Sequence, residues 1–163
     1  MKLAIIPARG GSKRIPRKNV KPFCGKPMIA WSIDAARASG LFDHIVVSTD
    51  DMEISAVAKA YGAEVPFMRP AALSDDHTGT SPVVAHAIEW YRAQGGMPDP
   101  VCCIYATAPF VSTADLQRGL QLLTDSGSDF AFSVTRYTFP IQRAIKLTEE
   151  GRVQMFQPAH FNT

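Results

Sequence analysis

Apolar residues in this chain follow two rhythms that take turns. Leu3-Ala4-Ile5-Ile6 is a short, unbroken, partly β-branched run, the pattern of a strand covered on both faces, and Pro7 ends it. From Met28 to Ala38 the rhythm changes: Ile29, Ile33 and Ala36 recur at helical spacing, Lys26-Pro27 opens the segment and Gly40 closes it. His44 to Thr49 reads as a second buried strand. Asp50 or Asp51 can cap the next helix, whose stripe is Ile54, Val57, Ala58 and Tyr61 before Gly62. Ala63 to Met68 predicts a third, shorter strand interrupted by Pro66, and Arg69 to Thr80 is too rich in turn formers to be a core element and long enough to be a functional loop.

Helical spacing returns from Pro82 with Val83, Val84, Ala87, Ile88 and Tyr91, ending at Gly95-Gly96. Val101 to Tyr105 predicts a fourth strand. Ser112 or Thr113 caps a helix carrying Leu116, Leu120 and Leu123, and Asp129 to Thr135 predicts a fifth strand. Alternating strands and helices imply an α/β fold, a Rossmann-like three-layer sandwich with a mostly parallel sheet. In such sheets ligands bind outside the carboxyl ends of the strands, where the segment after Pro7, Asp50 and Thr107 are expected. Beyond residue 138 the alternation around Glu150-Gly151 predicts a projecting β-hairpin. The chain stops at Phe161-Asn162-Thr163 without a closing element, so 1–163 reads as a single domain, incomplete at its C-terminus, with 138–163 as a hairpin and dimerisation segment.

Composition fits one well-filled core: 163 residues, 46% hydrophobic. Apolar runs fall far short of a membrane span, and residues 1–20 lack the apolar stretch of a signal peptide, which predicts a cytoplasmic protein with no membrane partner. Cys24, Cys102 and Cys103 have no metal-type spacing and are expected to be core thiols; His77 and His86 are expected in structural or surface roles.

Charge changes the picture more. Net charge is only +2, yet seven of the 17 basic residues lie between Arg9 and Lys26, and no Asp or Glu precedes Asp34. Such a cluster directly after a first strand is an anion site. Gly10-Gly11 let main-chain N–H groups approach a bound group, and Ser12, Lys13, Arg14 and Lys18 add a hydroxyl and three cations, a set suited to a polyphosphate. A nucleic-acid binder would spread its basic surface and add exposed aromatics, so no nucleic-acid partner is expected. Two common phosphate motifs fail. Gly25-Lys26 is followed by Pro27 rather than the hydroxyl a Walker A loop needs, and the adjacent pair Gly10-Gly11 is not the spaced triplet of a dinucleotide fingerprint.

The string PARGGSKRIPRKN followed by GKPM resembles the nucleotide-binding signature of sugar nucleotidyltransferases, and within them the CMP-sugar synthetases that activate nine-carbon 2-keto acids with CTP. IVVSTDD, VPFMRP, LSDDHTGT and YATAPF extend the resemblance, in order, over nearly the whole chain. It implies the nucleotidyltransferase fold and a reaction in which the anomeric hydroxyl of a sugar acid attacks the α-phosphorus of CTP and pyrophosphate leaves. Pseudaminate is the sugar it points to, with N-acylneuraminate or legionaminate on the same chemistry, or a non-catalytic CTP-binding fragment, as alternatives.

The resemblance also implies residue roles. Ala8, Arg9, Gly10, Gly11, Ser12, Lys13, Lys18 and Asn19 match positions around the nucleotide, with Lys13, Lys18 and Arg9 as the catalytic cations that stabilise phosphoryl charge. Arg69 and Thr80 match the cytosine side, Thr80 being equally readable as a helix cap. Tyr105 and Thr107 are expected on the sugar side. The loop Tyr105-Ala106-Thr107-Ala108-Pro109 lacks the Asp that enzymes for eight-carbon acids carry for magnesium, and has Tyr105 where sialate-type relatives have Gln. Magnesium is expected with the triphosphate, and the resemblance puts the metal carboxylates C-terminal to Thr163, none within this chain. It also implies a homodimer for the full-length protein.

Overall fold

A computed structural model describes residues 1–136 and 138–161, which divide into two compact units, Met1–Asp129 and Phe130–Thr163. The first begins with β1 (Leu3–Pro7), followed by a small ribbon of β2 (Pro22–Phe23) and β3 (Lys26–Pro27). Then come α1 (Met28–Ser39), β4 (His44–Ser48), α2 (Met52–Ala60), α3 (Thr80–Ala93), β5 (Val101–Cys103) and α4 (Thr113–Ser126).

Burial explains the order of the sheet. Leu3, Ala4, Ile5 and Ile6 are each fully buried, which a strand achieves only with a neighbour on both edges and a layer on both faces. Parallel strands β4 and β5 flank β1, Leu3 facing His44 on one side and Val101 on the other. Because successive side chains alternate faces, Ala4 and Ile6 pack with Ile29 and Ile33 of α1 and Ile54 and Ala58 of α2, while Leu3 and Ile5 pack with Val46 and with Ala87 and Tyr91 of α3. This is the predicted three-layer α/β arrangement. The chain leaves β1 towards β4 and later returns to β5 on the other side, so the connections reverse at β1 and its carboxyl end opens at the switch point.

Several expectations need correction. The strand expected over 63–68 is reduced to one parallel bridge, Val46 with Glu64, because Pro66 cannot donate to the ladder. The strand expected over 129–135 does not form: Phe130, Phe132 and Val134 alternate as a strand should, yet each is more than 80% exposed with no pairing neighbour among the described residues. Thr80 is not the cap of α3, which is Gly79, whereas Asp51 caps α2 and Ser112 caps α4 through their side chains. Of the thiols only Cys102 joins the core, packed at its edge, where burial raises its pKa to about 11; Cys24 and Cys103 are exposed, not core groups. Cys24 lies in the β2–β3 turn, where Cys24 and Gly25 both take positive φ, the two-residue hairpin geometry that glycine favours.

In the second unit the expected hairpin is present. β6 (Ile145–Leu147) pairs antiparallel with β7 (Val153–Met155), and the turn between them closes through Thr148 N–H to Arg152 O at 2.8 Å with Gly151 at φ +72°. The last two positions of the 138–163 segment lie outside the described residues.

Truncating the α1 knob against the sheet should cost far more than truncating the outer face of α4. Ile33→Ala, at a fully buried site, is expected to lose about 2–5 kcal/mol of unfolding free energy, and Leu122→Ala, 60% exposed, less than about 0.5. Urea unfolding of both variants checks this, and equal losses would contradict the packing described.

Candidate functional site

The loop after β1 is held from two directions. Its first limb is tied to β4: Ala8 N–H donates to Ser48 O at 2.9 Å and Gly10 N–H to Asp50 Oδ1 at 2.9 Å. Glycine is required at position 10, because a Cβ there would lie 2.6 Å from Asp51 Oδ2 and 3.0 Å from Asp51 Cβ. A Cβ at Gly11 meets nothing within 4 Å. The second limb turns at Arg17, a non-glycine residue at φ +56°, and its guanidinium bonds both oxygens of Asp51 and reaches Glu53. Asp51 Oδ1 also accepts from Glu53 N–H and Ile54 N–H at 2.9 and 3.0 Å, the cap of α2. The Arg17 contact holds the Asp51 carboxyl below the usual range. Asn19, almost fully buried, closes the loop by donating from Nδ2 to Arg9 O at 2.9 Å.

Between the limbs lies a cavity of about 270 Å³ lined by Arg9, Ser12, Lys13, Arg14, Lys18 and Asp76, with Ile15 as its apolar part. That falls at the small end of ligand sites, room for phosphates rather than a whole nucleotide. Ser12 Oγ is inaccessible and has no hydrogen-bond partner among the described residues, an unusual state for a hydroxyl at the edge of such a cavity. Asp76 forms ion pairs with Arg9, at 2.8 Å, and with Lys13, which holds its carboxyl low. Arg9 also donates to Asp75 O at 2.5 Å. The polar loop 69–80 thus meets the basic loop through one carboxylate, that of Asp76, and the main-chain carbonyl of Asp75, a pairing invisible to local sequence although the opposite charges of LSDDHTGT and RGGSKR were the available signal.

The remaining predicted residues separate into two places. Arg69 is buried, not a surface arginine: it donates from Nε to Ser48 Oγ at 3.1 Å and from its terminal nitrogen to Ser48 O, bracing the end of β4, and burial lowers its pKa against the opposing pull of Asp50. Thr80, at the start of α3, comes within 3.5 Å of the Tyr105 hydroxyl, so residues expected on the base side and the sugar side are neighbours. Tyr105 is 62% exposed, its carbonyl fixed by Ser32 Oγ at 2.8 Å, and Thr107 is exposed in the same turn. All these groups sit at the carboxyl end of the sheet. Arg17 and Asp76 are the participants the sequence did not single out.

The carboxylates near the loop do not fit a protein-held metal. Asp51 is committed to Arg17 and the helix cap, Asp76 to two cations, and Asp75 Oδ1 to the N–H groups of His77 and Thr78. Asp50 accepts from Gly10, and no group of three metal-binding side chains occurs among the described residues.

The chain resembles known proteins along most of its length. The cytidylyltransferase family profile matches residues 3–152. A pseudaminic acid cytidylyltransferase of Campylobacter jejuni is 48% identical over 161 residues, 99% of this chain and 69% of that protein. N-acylneuraminate cytidylyltransferase A of Danio rerio is 40% identical over 133 residues, 82% of this chain and 30% of that protein. The structure of CMP:2-keto-3-deoxy-manno-octonic acid synthetase complexed with CTP matches with a TM-score of 0.65 at 24% identity, over 78% of this chain and 49% of that one, a likeness of fold. A basic loop at the carboxyl end of a buried first strand, inside a match that covers most of the residues, leads to one conclusion: the chain belongs to the cytidylyltransferase family.

Proposed function

We propose that this chain carries the CTP-binding part of an enzyme that joins CMP to the anomeric hydroxyl of pseudaminic acid with release of pyrophosphate. The observation that supports it most is the phosphate-sized cavity lined by Arg9, Lys13, Arg14 and Lys18 at the end of β1. The choice of pseudaminate rests on the 48% identity to the Campylobacter jejuni protein.

Chemically, negative charge grows on the α,β-bridging oxygen as pyrophosphate departs, so cations placed in advance lower the barrier without reorganising at the moment of reaction. Lys18 and Arg14 are free of ion pairs among the described residues, and Lys18, a compact charge on a flexible stem, can follow the moving phosphate. Arg9 and Lys13 exchange Asp76 for phosphate oxygens, so little new desolvation is needed. The Ser12 hydroxyl and the N–H of Gly11 donate to the triphosphate, with Ala8, Gly10 and Asn19 shaping the loop around it. Arg69 and Thr80 border the base; Tyr105 and Thr107 border the sugar. Magnesium enters as part of the nucleotide substrate, MgCTP, because the nearby carboxylates are already committed. The reaction takes place in the cytoplasm, where CTP is made, and the exposed Phe130, Phe132 and Phe139 support a homodimer of the longer protein.

Pyrophosphate release from MgCTP, with pseudaminate, N-acetylneuraminate, legionaminate and an eight-carbon sugar acid offered in parallel to the chain and to a C-terminally extended form, is expected with pseudaminate alone. Release with another acid reassigns the sugar; CTP binding without any release makes the chain a non-catalytic module. Lys18→Ala is expected to keep the wild-type melting temperature and to lower kcat by roughly 10²–10³, the worth of one transition-state charge contact. Unchanged kcat in steady-state kinetics removes Lys18 from the chemistry.

A further inference from the structure

Arg17 stands in the middle of the basic string, yet it does not line the cavity. Its donors go instead to Asp51, at 2.5 and 3.2 Å, and to Glu53. The backbone at Arg17 is left-handed, at φ +56°, which costs an L-residue roughly 1–2 kcal/mol and persists where surrounding contacts impose it. Val20 N–H and Lys21 N–H both turn back onto Arg17 O, at 3.1 and 3.0 Å. The residue after this reversal is Lys18, which lines the cavity and has no partner of its own among the described residues. What directs Lys18 is therefore its neighbour's anchorage.

That anchorage has several points of attachment. Asp51 is fixed to the first turn of α2 by two main-chain donors, and the adjacent Asp50 fixes the other limb of the loop at Gly10. We propose that Arg17 is a positioning residue for phosphoryl transfer: clamped to Asp51, it sets the direction in which Lys18 enters the phosphate cavity, while touching no substrate itself. The inference rests on the triphosphate reading of this loop. An isolated surface ion pair would be worth little; here one carboxylate joins a helix cap, a two-pronged guanidinium and a left-handed turn.

Electrostatics gives a test in which positioning and simple charge predict opposite signs. Asp51→Asn removes a negative charge beside an anion site, so Coulomb attraction alone would tighten anion binding. It keeps Oδ1 for the helix cap but presents an amide to Arg17. With inorganic tripolyphosphate as the probe, calorimetry on the full chain at fixed ionic strength should find binding weakened about tenfold, the worth of one charge-assisted contact. Arg17→Met, which leaves the α2 cap intact should Asp51→Asn fail to fold, should weaken binding equally, and Arg17→Lys should recover part of the loss. In a Lys18→Ala background Asp51→Asn should change affinity less than about twofold, because the lost contact is already gone. Tighter or unchanged binding in Asp51→Asn, or an undiminished loss in the Lys18→Ala background, overturns the proposal. Absence of pyrophosphate release from the wild type with every sugar acid would instead remove the transferase reading, and the coupling of Asp51 to Lys18 is measured independently of it.

Discussion

Adjacent carboxylates at the end of β4 hold a loop whose own charges repel one another. Like charges about 7 Å apart cost roughly 0.6 kcal/mol per pair even in bulk water, and more near a protein surface, so the five cations from Arg9 to Lys18 need opposing charge to pack as one turn. Asp50 and Asp51 supply it at the two limbs, and Asp76 supplies it across the cavity. The cations are thereby divided. Arg17 is consumed by structure, Arg9 and Lys13 are shared with Asp76, and Arg14 and Lys18 stay free to meet an anion. A site that binds polyphosphate must keep some charge uncompensated, and this division keeps it on the side facing the cavity.

The sheet makes that placement possible. Because β1 is buried on both faces, its carboxyl end cannot wander, and the loop that leaves it at Pro7 starts from a fixed point. The same sheet end carries Ser48, which Arg69 braces, and the turn holding Tyr105 and Thr107. One rigid edge therefore presents a charged half, at residues 9–18, and a less charged half, where Thr80 meets Tyr105. This is the division of labour expected of an enzyme whose reaction centre is ionic and whose second substrate differs among relatives.

Much of this was legible in the sequence, for physical reasons that also explain what was not. β1, α1, β4, α2 and α3 announce themselves through burial periodicity, and the anion loop through a charge density that a plain turn does not need. The misread elements are those where pattern and partner disagree. Phe130, Phe132 and Val134 alternate correctly but have no neighbouring strand among the described residues, and Ala63 to Met68 has a neighbour but carries Pro66. The Cys24-Gly25 turn was readable as a two-residue hairpin signal, but its strands are too short to show periodicity. In the site, the residues of the loop itself were identifiable, whereas the pairings of Arg17 with Asp51 and of Lys13 with Asp76 link segments far apart in the chain. Only the fold brings them together.

In the proposed function, loop 9–18 receives the triphosphate of CTP by exchanging Asp76 for phosphate. Crystallography of the chain with bound CTP tests it most directly. Phosphate oxygens are expected inside the cavity, within hydrogen-bond reach of Lys13, Lys18 and Ser12 Oγ, with Asp76 released from Lys13 and Arg17 still clamped to Asp51. A triphosphate bound elsewhere, with the Lys13–Asp76 pair intact, would contradict it.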